Sequence, residues 1–206
     1  FGGTSVGSAD ALISATQIIR DAQKDWIRIV VVTSAMSGVT NLLLDSANQI
    51  VGARSSRPVL GGETPPLQDA ENNLREKHFS AAEKLIKNKS LLEETKKEIN
   101  ALIQIFVNLC SAIQVLGEAS PRALDAVASL GERMSLRLLT AVLNEAGIKA
   151  KGIEASEFIV TNSNFQNAHP DFHITKEKTQ ALLNPLLDEG NIVITTGFIG
   201  ANAEGV

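Results

Sequence analysis

A single cysteine, Cys110, stands in a chain of 206 residues. One thiol can close no internal disulfide, and the three histidines (78, 169 and 173) are not grouped as metal ligands, so a disulfide scaffold and a zinc cluster are both excluded. A lone thiol also fits a reducing compartment. Aromatic residues are scarce: seven Phe, one Trp and no Tyr, which leaves Leu, Ile, Val and Ala to build the core. An excess of positive charge is missing too. Nineteen basic residues against 23 acidic ones give a net charge of −4, the wrong sign for a phosphate-backbone binder, so no nucleic-acid partner is expected. No apolar run approaches the ~20 residues of a membrane span, and no membrane partner is expected. Repeats and low-complexity tracts are also lacking. What is present, 44% hydrophobic and 20% charged residues, is the balance of a globular domain with a sizeable core.

The order of elements follows from pattern. Ser8 can cap a helix whose apolar positions Ala9, Leu12, Ile13, Thr16 and Ile19 fall at spacings of three and four, with Asp10 in its first turn. The run Ile27-Arg28-Ile29-Val30-Val31-Val32 reads as a strand over 27–33 buried on both faces. A helix is expected from Val39 to about Gly52, then loop chemistry over 53–66 and two long helices at 67–88 and 91–117. The second of these carries Leu92, Thr95, Ile99, Leu102, Phe106, Leu109, Ile113 and Leu116 at alternating steps of three and four, a seam suited either to a packed hairpin or to a partner helix. Ser120-Pro121 is a strong helix start, and that helix stops at Gly147. A short strand near 149–153, an irregular stretch over 154–174, a helix from Thr175 to Glu189 and a strand over 191–196 complete the chain. Strands alternating with helices predict an α/β fold with a mainly parallel sheet.

Three places could carry chemistry. The opening Phe1-Gly2-Gly3-Thr4-Ser5-Val6-Gly7 is a glycine-rich turn before a helix, where amide groups can approach a phosphate without a Cβ in the way. Gly2–Ser8 has the spacing of a P-loop, but Ser8 stands where the lysine belongs. The loop Ser34–Asn41 follows a buried strand, and Thr195-Thr196-Gly197 closes another; in open parallel sheets ligands bind at that edge. Glu132, after Gly131 in an apolar helix, is either a surface carboxylate paired with Arg133 or Arg137 or one that holds a ligand's ammonium group. Cys110 lies on the apolar seam and reads as core.

Four motifs in this order resemble the N-terminal part of the aspartate kinase family: Phe1-Gly2-Gly3-Thr4-Ser5-Val6, Ser34-Ala35-Met36-Ser37-Gly38-Val39-Thr40-Asn41, Ser129-Leu130-Gly131-Glu132-Arg133-Met134-Ser135 and Thr196-Gly197-Phe198-Ile199-Gly200. The resemblance implies the amino acid kinase fold, a three-layer α/β/α sandwich around a mainly parallel sheet, here its N-terminal lobe over 1–206 with the 67–117 helical hairpin inserted. It implies transfer of the ATP γ-phosphoryl, with Mg²⁺, to the side-chain carboxylate of L-aspartate, the entry step to lysine, threonine and methionine. Under it Gly2, Gly3, Thr4, Ser5 and Gly197 serve the nucleotide phosphates. Ser34 contacts the transferring phosphoryl or aspartate, and Asp171 lies near the substrate. Thr40 and Glu132 bind aspartate, Glu132 by its amino group; no residue is assigned to a metal. A sibling kinase acting on glutamate, acetylglutamate or carbamate, or a binding module that transfers nothing, would share the fold.

Two departures follow from the comparison. The family lysine ahead of Phe-Gly-Gly is not in this chain, and the loop where the family carries an arginine reads Asn167-Ala168-His169. With the nucleotide half and the regulatory ACT domains also absent, the chain is read as a piece of a longer protein and expected to be inactive alone. A cytoplasmic homodimer or higher homo-oligomer is expected of the parent, with organellar targeting left open.

Overall fold

The structure, a computed structural model, describes residues 1–52 and 66–205. The loop expected over 53–66 lies, all but Pro66, outside the described residues. Helix α1 (Ala9–Asp25) starts at the expected cap: Ser8 Oγ accepts the Ala11 amide at 3.2 Å, and Leu12, Ala15, Thr16 and Ile19 form its buried stripe. Strand β1 (Val30–Thr33) leads into α2 (Val39–Gly52). Helices α3 (Pro66–Leu85) and α4 (Lys89–Leu116) fold back on each other, with Lys96 Nζ 2.7 Å from Glu83 Oε1 and 5.6 Å over the Phe79 ring. Helix α5 (Pro121–Glu145) has the expected Ser120 cap, and β2 (Ala150–Ile153), α6 (Phe172–Asp188) and β3 (Ile192–Thr196) follow.

The sheet order is β1-β3-β2, and both pairings are parallel, Val31 opposite Ile194 and Gly152 opposite Ile194 from the other side. Beyond β1, the Phe1 nitrogen donates to Val32 O at 2.7 Å and the Ser34 amide donates to Phe1 O at 3.0 Å, so the first residue lies along β1's outer edge. The two sheet faces meet different cores. Val31, Ile192 and Ile194 join the main core with α1, α2 and α5, whereas Ile153 and Val193 pack with Leu183 and Leu187 of α6.

Three expectations need correction. The strand near 27–33 begins only at Val30, and Val30 and Val32 are 44% and 49% exposed, so it is covered on one face rather than two. The cause is α6, which packs on Val193 and Ile153 and leaves their β1 neighbours half open. Helix α6 starts at Phe172 instead of Thr175, because Asp171 caps it. Helix α4 is long and apolar enough to cross a membrane, since residues 99–116 carry no charge. Its stripe of Thr95, Ile99, Leu102, Ile103, Phe106, Cys110 and Ile113 is nevertheless buried, the hairpin alternative of the two readings. Leu116 alone of the seam is exposed. Burial pushes the Cys110 thiol up to about 11, as expected of a core cysteine.

Candidate active site

The C-terminal ends of β1 and β3 share one edge of the sheet, and Ser34 and Gly197 are the residues that leave it. The Gly197 amide donates to Thr33 O at 2.8 Å, and a Cβ on Gly197 would sit 3.8 Å from Ser34 Oγ. Phe198 follows, fully exposed, with a φ of 53°.

The glycine turn is fastened to the same edge. Gly3–Val6 is one 3-10 turn, and the Ser37 amide donates to Gly3 O at 3.0 Å. A side chain at Gly3 would bring its Cβ to 2.8 Å from Ala35 O, closer than any real contact, so only glycine fits there. The amides of Gly2, Gly3 and Thr4 have no hydrogen-bond partner among the described residues, and the side chains of Thr4 and Ser5 are exposed. Open amides at a sheet edge are a cradle for an anion. Thr40 lies in the first turn of α2, half-buried, on the chain that leaves this loop.

Helix α5 brings in the carboxylate. Glu132 is 8% exposed, and the Ala35 amide lies near its carboxylate. Burial raises its pKa above the ordinary value, while its own amide and that of Ala35 act the other way. Arg133 and Arg137 do not pair with it. Both hold Glu154 at the end of β2, Arg133 Nε at 2.9 Å and Arg137 through Nη2. The surface ion pair weighed for Glu132 is therefore not what forms, and no cation faces it among the described residues.

Asp171 sits apart from this cluster. Its Oδ1 accepts the His173 and Ile174 amides at 2.9 and 3.1 Å as the cap of α6, and no hydrogen bond joins it to Ser34, Thr40 or Glu132. The loop before it is pinned to α5 by the Gln166 amide, which donates to Asp125 Oδ2 at 2.7 Å from a φ of 63°. Within that loop Asn162 Oδ1 accepts the Asn164 and His169 amides. Sequence reasoning missed Asp125, which carries no local signal on an exposed helix turn. Two buried hydroxyls, Ser135 Oγ and Thr195 Oγ1, lie in segments the sequence singled out and have no hydrogen-bond partner among the described residues. Among the described residues no group of three or more His, Cys, Asp or Glu stands together to hold a metal ion.

Known proteins resemble this chain in fold and sequence. The chain is 27% identical over 205 residues to the aspartokinase of Chlamydia muridarum, with all of this chain and 40% of the relative aligned. It is 28% identical over 201 residues to aspartokinase 3, chloroplastic, of Arabidopsis thaliana, covering 97% of this chain and 33% of that one. Among solved structures, E. coli aspartokinase III in complex with aspartate and ADP (R-state) superposes with a TM-score of 0.81 at 31% identity, covering 100% of this chain and 41% of that one. The chain thus spans about two fifths or less of the length of these relatives. The α/β fold, with its parallel sheet flanked by helices, is the one seen in the structural relatives. Over residues 1–206 the sequence matches the amino acid kinase family, and the chain belongs to that family.

Proposed function

We propose that this chain is the N-terminal lobe of a kinase that phosphorylates the side-chain carboxylate of L-aspartate. The observation that carries the reading is Glu132, a desolvated carboxylate at the ligand edge of a parallel sheet, near the Ala35 amide and facing no cation among the described residues. A buried charge in that condition calls for a cationic partner from outside, and the ammonium group of an amino acid supplies one. E. coli aspartokinase III, similar over the whole of this chain, is described with aspartate and ADP bound.

In this reading Glu132 and Thr40 hold the acceptor, while the open amides of Gly2, Gly3 and Thr4, with Ser5 and Gly197, hold the nucleotide phosphates. Ser34, between the two groups, contacts the phosphoryl in transit. Asp171, apart from this cluster, fixes the start of α6. The acceptor needs no general base, because a side-chain carboxyl with a pKa near 3.9 is already ionised at neutral pH. One of its oxygens attacks the γ-phosphorus, the bond to the β–γ bridging oxygen breaks, and ADP departs with that electron pair. The task left to the protein is to bring two anions together, by positioning and by donors aimed at the phosphates. Mg²⁺ bound to the nucleotide would neutralise phosphate charge. A cytoplasmic location and self-association of the full-length protein belong to the same reading.

Glu132→Ala in the full-length protein tests it. Removing one partner of a desolvated charge pair costs roughly 2–5 kcal/mol, so the aspartate KM should rise far more than the ATP KM. Equal changes in both constants would reject the assignment. An assay of ADP release with aspartate, glutamate, acetylglutamate and carbamate in turn as acceptor separates aspartate from the substrates of sibling enzymes.

A further inference from the structure

Helix α5 carries a glycine, Gly131, near its middle, where alanine would be the better helix former. The reason lies across the helix surface. A Cβ at Gly131 would stand 2.8 Å from the Ala35 methyl, 3.2 Å from Val39 Cγ1 and 3.5 Å from Leu43 Cδ1. The Ala35 methyl fills the notch that the missing side chain leaves, and Ala35 is 4% exposed. The same residue makes two further contacts. Its amide lies near the Glu132 carboxylate, and its carbonyl oxygen lies against Gly3, whose own carbonyl accepts the Ser37 amide two residues on. One small residue thus touches the glycine turn, the buried carboxylate and the helix that bears it.

We propose that Ala35 and Gly131 are a pair of positioning residues that set Glu132 against the phosphate-binding turn. The distance between acceptor and nucleotide is then fixed by the contact of two small side-chain positions. This rests on the reading of Glu132 as the partner of the acceptor's ammonium group. Neither residue meets a substrate; both act through Glu132. A larger side chain at either position pushes α5 off the loop and withdraws the Ala35 amide from the carboxylate. Interiors are close-packed, so the strain has few other outlets.

The test uses the full-length protein with Gly131→Ala, Ala35→Gly, the double variant, and Gly131→Ala in a Glu132→Gln background. Misplacement by about an ångström can cost on the order of a hundredfold, so Gly131→Ala should raise the aspartate KM by about tenfold or more while the ATP KM holds. Adding Ala35→Gly removes the severest contact, the one at 2.8 Å, leaves only the milder one with Val39 Cγ1, and should return the aspartate KM to within about twofold of Ala35→Gly alone. In the Glu132→Gln background Gly131→Ala should add less than about twofold, because its route of action is already gone. If Gly131→Ala alone does not fold, the double variant, relieved of the 2.8 Å contact with the Ala35 methyl, must fold and bind aspartate. The proposal is overturned if both Michaelis constants rise together, if kcat alone falls, if Ala35→Gly gives no rescue, or if the Gly131 and Glu132 effects simply add. If Glu132→Gln leaves the aspartate KM unchanged, the reading of Glu132 falls and takes this pair with it. If Glu132→Gln raises that constant but Gly131→Ala does not, only the pair falls.

Discussion

At Glu132, burial and hydrogen bonding pull one carboxyl group in opposite directions, and burial wins. The group therefore takes up its proton at a higher pH than an ordinary glutamate near 4.3. Only the ionised form can hold an ammonium group, so acceptor binding should weaken as pH falls through this raised value. The free acceptor's own carboxyl, near 3.9, still carries its charge there. The expected profile of aspartate KM against pH has an acid limb above the ordinary glutamate range, and the ATP KM lacks it. Glu132→Gln should abolish the limb; a limb that survives that substitution belongs to another group. The same residue shows where reading from sequence stops. Arg133 and Arg137 are its neighbours along the chain, but helical rotation and Glu154, brought in by β2, direct both guanidinium groups elsewhere. Nothing local to Glu132 announces that the arginines beside it find their partner in Glu154, beyond the end of the helix.

Helix α3 carries a different titrating group. His78 is fully buried; its Nδ1 lies 2.7 Å from Leu74 O, and Nε2 has no partner among the described residues. Desolvation, opposed by that backbone hydrogen bond, brings the imidazole down to about 4. In the unfolded chain the same group titrates near 6.5. Between those values the unfolded state binds a proton that the folded state refuses, so stability is whole above pH 6.5 and is lost as pH falls towards 4. The full loss is about 3 kcal/mol. Urea unfolding across that window should show this slope, and His78→Leu should flatten it; an unchanged slope would assign the effect to other groups. The elements themselves were largely legible. Ser8 and Ser120 cap the helices they were expected to cap, because capping is a local hydrogen bond between near neighbours. Asp171 was legible as a polar residue but not as a cap, since Phe172, His173 and Ile174 do not look like a first helical turn.

Across the whole molecule the sheet has two unlike sides. Ile194 is wholly buried in the main core, whereas Val32 faces α6's side half exposed. Ile194→Ala should cost about 2–5 kcal/mol, and Val32→Ala roughly 1 kcal/mol or less. Equilibrium unfolding of the two variants checks the asymmetry, and comparable losses would show that the β1 face is covered after all. This one-sidedness could not be read from the chain, because a β-branched run looks the same whether one face or both meet a helix. The parallel pairing was legible, since helices separate the strands and only crossovers can join them. So was the convergence of the glycine turn with the two strand ends. The contact of Gln166 with Asp125 was not, as it joins positions 41 residues apart through a backbone amide. Strand β3 has a last consequence. It is hydrogen-bonded by β1 on one side and β2 on the other, with every residue from Ile192 to Thr196 buried. In heavy water its amide protons can be replaced only when the sheet itself comes apart, so their exchange rates measure the opening of the entire domain, while the solvent-facing turn at Gly2–Ser5 exchanges on its own clock.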